Sequence, residues 1–199
     1  MDYYQILSSN FQGTIDTIAL SVDELAEPVG RASELMVQAL LEDRKIIACG
    51  NGVDAALAQL FACNLISRFE HDRPALPALA LGGDGACLTA IAHSGGLNDI
   101  FSRQLRALGQ AGDVMLCISS AGEANNLLRA VQAAHEREMS VVVLSNATDG
   151  ELGTLLQPED VEIRIDSLRR PRVVELHAMT LHCLCELIER SIFGSYPQE

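Results

Sequence analysis

Two runs in the middle of the chain, Val114-Met115-Leu116-Cys117-Ile118 and Val141-Val142-Val143-Leu144, are apolar at every position. A strand of that kind persists in water only when both of its faces are covered, which is the situation inside a parallel sheet. Further β-type runs at 45–49, 76–81 and 161–165 bring the set to five, with the two central ones extending over 114–119 and 141–145. Helical periodicity fills most of the sequence between them. This βαβ rhythm predicts an α/β fold, a three-layer α/β/α sandwich around a five-stranded parallel sheet.

Two helical patterns precede the first strand, one over about 3–25 and one over about 28–41, with Pro28 suited to a first helical turn. A last long helix begins near Pro171. Leu7, Phe11, Ile15, Ile18 and Val22 recur at spacings of three and four, an apolar stripe with no strand beside it in sequence to cover it. The last helix carries Leu176, Leu184, Leu187, Ile188, Ile192 and Phe193. Both stripes point to contacts between subunits; the alternative is that each helix caps its own domain. The chain is expected to form a single domain over 1–199, with 1–42 used in oligomerisation and 43–199 forming the α/β/α core and C-terminal helix.

The formal charge of −13 argues against direct nucleic-acid binding, which draws its affinity from cations that neutralise phosphates. No apolar stretch approaches the roughly 20 residues of a membrane span. Cys49, Cys63, Cys87, Cys117, Cys183 and Cys185 lie mostly in apolar runs without a CxxC pair, and the N-terminus lacks signal-peptide character. A reduced, cytoplasmic protein is expected.

In open parallel sheets ligands bind beyond the carboxyl ends of the strands. Two such ends carry turn chemistry, Gly50-Asn51-Gly52 and Ser119-Ser120-Ala121-Gly122, and both open helices. Two helix N-termini with nearby hydroxyls make a convergent anion site. The plain alternative is a pair of ordinary βα turns, glycines for geometry and serines as caps. Asp54 stands where a phosphate loop would favour a hydroxyl. A carboxylate about 4 Å from a phosphate costs about 4 kcal/mol at an effective dielectric near ~20, enough to cancel several neutral hydrogen bonds.

Cys49-Gly50-Asn51-Gly52, Arg68-Phe69-Glu70, Arg73-Pro74, Leu76-Pro77-Ala78, Gln104 to Gly109, Pro158 to Arg164 and His182-Cys183-Leu184-Cys185 together resemble the sugar isomerase (SIS) domain. The similarity is to the branch that holds sedoheptulose-7-phosphate isomerase and the replication initiator-associating protein DiaA. It implies a flavodoxin-like SIS fold with additional N-terminal helices and a long C-terminal helix, and a homotetramer with ligand sites at subunit contacts. The isomerase positions that bind zinc and move protons correspond here to Leu60, Asn64, Val174 and His182, so His182 alone is retained. Leu, Asn and Val do not titrate at these positions, and aldose–ketose chemistry needs a matched base and acid. With so few ligands, no metal and no other cofactor is expected. His182 and Cys185, three apart on one helix, could form a new metal pair, or be a core imidazole and a buried thiol.

The resemblance also places Glu123 in the second loop where the family has Asn, so the expected ligand-binding set is Asn51, Gly52, Asp54, Ser119, Ser120, Glu123 and His182. These departures lead to the expectation of a noncatalytic homotetrameric scaffold of the DiaA type that presents the DnaA initiator, gaining strength through multivalency. The alternatives are a phosphoheptose isomerase of lipopolysaccharide heptose synthesis and a sensor of a sugar derivative. Arg68, Glu70, His71, Arg169, Arg170 and Arg172 are the candidate partner surface.

Overall fold

The computed structural model describes residues 1–122, 124–148 and 150–194. Strands β1 (Ile46–Gly50), β2 (Ala78–Ala80), β3 (Val114–Ile118), β4 (Ser140–Asn146) and β5 (Val161–Ile165) pair in parallel in the order β2-β1-β3-β4-β5. The unbroken apolarity of the central runs has its cause here: every residue of β1 and β3 is buried, and so is every residue of β4 after its first. Edge strand β2 is shorter than the 76–81 run because Pro77 has no N–H to give a ladder; its carbonyl still accepts from Ile46 N at 3.1 Å.

The pleat sorts strand residues into two cores. Ile46, Ala48, Val114, Leu116, Val142, Leu144 and Ile163 face α1 (Tyr3–Leu41), α2 (Val53–Ile66) and α7 (Arg170–Phe193). Ile47, Cys49, Met115, Cys117, Val141 and Val143 face the other layer, built from α3 (Gly85–Gly95), α4 (Ser102–Leu108), α5 (Asn125–Glu136) and α6 (Gly150–Thr154). Buried Asp113 pins the start of the sheet. It accepts from Lys45 N at 3.0 Å, Lys45 Nζ at 2.6 Å and Gln110 N at 2.8 Å, and so ties β1 to β3.

The N-terminal region is one continuous helix where the sequence suggested two. Pro28 lies inside α1, with Leu25 and Val29 buried on either side of it, so packing holds the helix through the missing hydrogen bond. The residue before Pro28 is Glu27, not a capping Ser, Thr, Asp or Asn, and no new N-terminus forms. Leu7, Phe11, Ile15 and Val22 are exposed, while Ile18 packs against the core.

On α7 the expectation of an interface needs narrowing. Leu176, Leu184 and Ile188 are consumed by the chain's own core, Ile192 and Phe193 are partly buried against it, and Leu187 and Met179 remain exposed. All six cysteines are free thiols. Among the described residues no helix is long and apolar enough to cross a membrane.

Candidate functional site

The strand order reverses between β1 and β3, because the chain leaves β1 for β2 on one side and returns to β3 on the other. Such a switch point opens a crevice beyond the carboxyl ends of the two strands. β1 ends at Gly50 and turns through Asn51-Gly52 into α2; β3 ends at Ile118 and turns through Ser119-Ser120 toward α5. Gly52 adopts φ 61°, a region that favours glycine. A Cβ on Gly50 would lie 2.7 Å from the backbone carbon of Asp54, so the first turn of α2 can settle against the strand end only because Gly50 has no side chain.

Asn51 and Asn126 join the two sides of the crevice by exchanging amide hydrogen bonds of 2.9 and 2.8 Å. Ser119 Oγ donates to Gly122 O at 3.2 Å, and Ser119 O accepts from Asn146 Nδ2 at 3.2 Å. The structure therefore brings Asn51, Gly52, Asp54, Ser119 and Ser120 together at the ends of β1 and β3. Glu123 lies outside the described residues.

Asp54 is 2% exposed and sits in the first turn of α2. Its Oδ2 accepts from Ser120 N at 3.0 Å, and its buried Oδ1 has no hydrogen-bond partner. Behind it, buried His177 donates from Nε2 to Ser145 O at 3.0 Å while its Nδ1 is unpartnered. Burial lowers the His177 pKa from its ordinary value; the bond to Ser145 O and the nearby Asp54 charge pull the other way.

Beside the Asn51-Gly52 turn lies an open hollow of about 580 Å³, lined by Gly52, Val53, Arg170, Pro171, Val174 and Glu175. That volume is within the usual range for small-molecule sites, about 300–1,000 Å³. Arg170 directs Nε to Ser120 Oγ at 3.4 Å, which brings a cation to the second loop. The Glu175 carboxylate is held by Arg172 Nη2 at 2.7 Å and Thr14 Oγ1 at 2.9 Å. Arg172 itself is 5% exposed and also donates to Asn10 O and Thr14 Oγ1. It joins α7 to α1 and is no part of a surface for partners.

Sequence reasoning missed Arg170 and Glu175 as site residues, and it missed the Asn126 clamp altogether. A usable signal existed for the first: Arg170-Pro171 opens a helix, and a helix start at the switch point faces the crevice.

His182 lies elsewhere. Its exposed ring stacks on Phe69 with centroids 5.5 Å apart, whereas Val174 lines the hollow. Eight positions on α7 separate the two, which is about 12 Å of helix rise. The half-buried Asn64 hydrogen-bonds Cys185, whose thiol burial pushes up to about 12. A divalent ion would find one imidazole and one buried thiol, too few ligands for a closed site, and Leu60 and Asn64 carry no imidazole, thiolate or carboxylate to add. Among the described residues no group of three His, Cys, Asp or Glu could hold a metal. The residues present within this chain do not fit the zinc site implied by the resemblance.

Residues 10–146 match the model of the SIS domain family. The phosphoheptose isomerase of Chromohalobacter salexigens is 44% identical over 195 residues, 98% of this chain and 99% of that protein. That of Coxiella burnetii is 43% identical over 98% of each. Among solved structures, a phosphoheptose isomerase from Francisella tularensis superposes with a TM-score of 0.92 at 35% identity, over 96% of this chain and 100% of that one. Phosphoheptose isomerase GmhA from Neisseria gonorrhoeae gives 0.88 at 38% identity, over 93% and 97%.

These findings overturn the expectation of a noncatalytic DiaA-type scaffold for the DnaA initiator, and with it the leaning against an enzyme. Relatives that match along the whole chain bear an isomerase name. That expectation rested on three side chains, Leu60, Asn64 and Val174, whereas the match runs over 98% of the chain. Glu175, among the residues that line the hollow, carries a carboxylate there.

Proposed function

The chain belongs to the SIS domain family, and we propose that it is an aldose–ketose isomerase of the phosphoheptose isomerase type, acting on sedoheptulose 7-phosphate. The observation that carries this reading is the match to phosphoheptose isomerase at 44% identity over 98% of the chain. Isomerisation needs a base to take a proton from C1 of the ketose while O2 gains one, forming an enediol; a proton then returns to C2 as O1 loses its own. Glu175 is the carboxylate in the lining of the hollow and takes the role of base, its orientation fixed by Arg172 and Thr14. Arg170, at the edge of the Ser120 loop, meets the anionic end of the substrate.

His182 is about 10 Å further along α7 than Glu175, by helix rise, and serves a hollow only from a second copy of the chain. Self-association into a homotetramer belongs to this reading. It would cover exposed Leu7, Phe11, Ile15 and Val22, and the apolar groove of Ile18, Val22, Leu25, Val29, Met179 and Leu187 between α1 and α7. The six free thiols support a reducing, cytoplasmic setting.

The test is deuterium incorporation from heavy water into sedoheptulose 7-phosphate at C1 or C2, followed by NMR together with aldose formation. Wild-type protein is expected to exchange and isomerise, and Glu175→Gln to lose about 10²-fold or more, as expected for removal of a general base. Wild-type exchange no faster than buffer would refute the proposal.

A further inference from the structure

We infer that Asp54 is an intramolecular occupant of the anion seat in this crevice and sets its selectivity against phosphate. The inference rests on the reading that the crevice takes a sugar phosphate, and it assigns a role to a residue outside the proton-transfer chemistry. Three observations converge on it. The Ser120 N–H, at the carboxyl end of β3 where an anion would be received, is already spent on Asp54 Oδ2 at 3.0 Å. The same carboxylate keeps a second oxygen, Oδ1, buried without any donor, so the seat contains anionic acceptor capacity that its own loops leave unmatched. Among the described residues no Lys, Arg or His lies within ion-pair distance of it. The nearby His177 is held toward its neutral form by burial.

A phosphate entering between the loops would meet this charge at close range and compete with it for the Ser120 N–H. The cation at Arg170 lies at the rim of the same loop, so the seat has a positive edge and a negative floor. A ligand phosphate gains the first and is opposed by the second. It is received fully only when Asp54 swings away or is replaced. Gly50 makes this arrangement possible, since only a residue without Cβ lets the Asp54 backbone come so near to β1. The consequence for the reaction is a raised KM for phosphorylated substrate, because the penalty falls on binding of the phosphate and not on the carbons that exchange protons.

The experiment uses the full chain and calorimetric titration with inorganic phosphate, sedoheptulose 7-phosphate and unphosphorylated sedoheptulose. Asp54→Ser removes both charge and competitor, and Asp54→Asn removes the charge while keeping an acceptor for Ser120 N; melting curves confirm that each variant folds. Asp54→Ser is expected to bind both phosphate ligands about tenfold or more tightly than wild type, with Asn between the two, and to leave the unphosphorylated sugar unchanged. The KM for sedoheptulose 7-phosphate should fall in the same order. Equal phosphate affinity in wild type and a folded Ser variant overturns the inference, as does an equal gain for the unphosphorylated sugar. The two readings fail separately: tighter phosphate binding by Asp54→Ser without wild-type turnover removes the isomerase proposal alone, and wild-type turnover with unchanged phosphate affinity removes this inference alone.

Discussion

Arg73→Met should be among the most damaging single substitutions outside the crevice. Arg73 and Glu189 form an ion pair at 2.6 Å with side chains 1% and 4% exposed. Arg73 also donates to Leu65 O at 2.7 Å and Asn64 O at 2.7 Å, capping carbonyls at the C-terminal end of α2, and to Pro74 O in the loop at 3.0 Å, and its guanidinium lies 5.9 Å from the Phe193 ring centre. Glu189 in turn accepts from Phe69 N at 2.9 Å. Methionine would fill much of the volume yet leave a buried carboxylate with one remaining donor. Breaking a buried pair from one side costs about 3–5 kcal/mol, and for a chain of this length each kcal/mol moves the melting midpoint by about 2–4 °C.

The expected loss is therefore about 6–20 °C, read by circular dichroism at fixed protein concentration so that self-association does not enter the comparison. Arg73→Lys should fall between, since a point charge satisfies Glu189 but cannot also reach the α2 carbonyls. In the double variant Arg73→Met/Glu189→Met no charge is stranded, so its loss should be smaller than the sum of the single losses by about 2 kcal/mol or more. Additive losses, or a drop of less than about 1 kcal/mol for Arg73→Met, would refute the reasoning.

Two further outcomes follow from the crevice. Gly50→Ala should destabilise by about 3 kcal/mol in denaturant titration, because the new methyl would sit 2.7 Å from Asp54 backbone; a loss below about 1 kcal/mol would mean that α2 shifts freely. Burial lowers the His177 pKa in the folded chain, while the unfolded chain takes up a proton below about pH 6.5. Its contribution is complete above that pH and is lost as pH falls, with a limiting slope of about 1.4 kcal/mol per unit, so His177→Gln should flatten the stability profile below about pH 6.5. An unchanged slope would show that another group titrates there.

The layers were legible because they depend on a property that short windows of sequence contain. Val114 to Ile118 has no polar position, and a strand with no polar position must be covered twice. The crevice was legible for a related reason: glycines and serines directly after strands mark the ends where a parallel sheet receives ligands. Continuity of α1 through Pro28 was not legible, since Leu25 and Val29 are buried by α1's tertiary packing and nothing local reports that contact. Nor was the fate of α7's apolar face: Leu184 and Ile188 look alike whether they meet their own sheet or another chain, and only the fold assigned them to the former. Arg172 and Arg170 are two positions apart in one charged stretch, yet one is buried against α1 and the other reaches the Ser120 loop. Helix phase decided that, and phase cannot be read from charge.

Family membership and pocket chemistry reside in different residues, which is why the whole-chain match and the altered pocket are compatible. A match over 98% of the chain spans both cores and all five registered strands. A reaction is directed by a handful of side chains that contribute little to those cores. Asp54 belongs to both sets. Its backbone packs where Gly50 makes room, a requirement of the fold, while its carboxylate takes the Ser120 N–H, a feature of the site. The first requirement sets where α2 begins. The side chain projected from that fixed point then decides which anion, the protein's own or a ligand's, occupies the crevice.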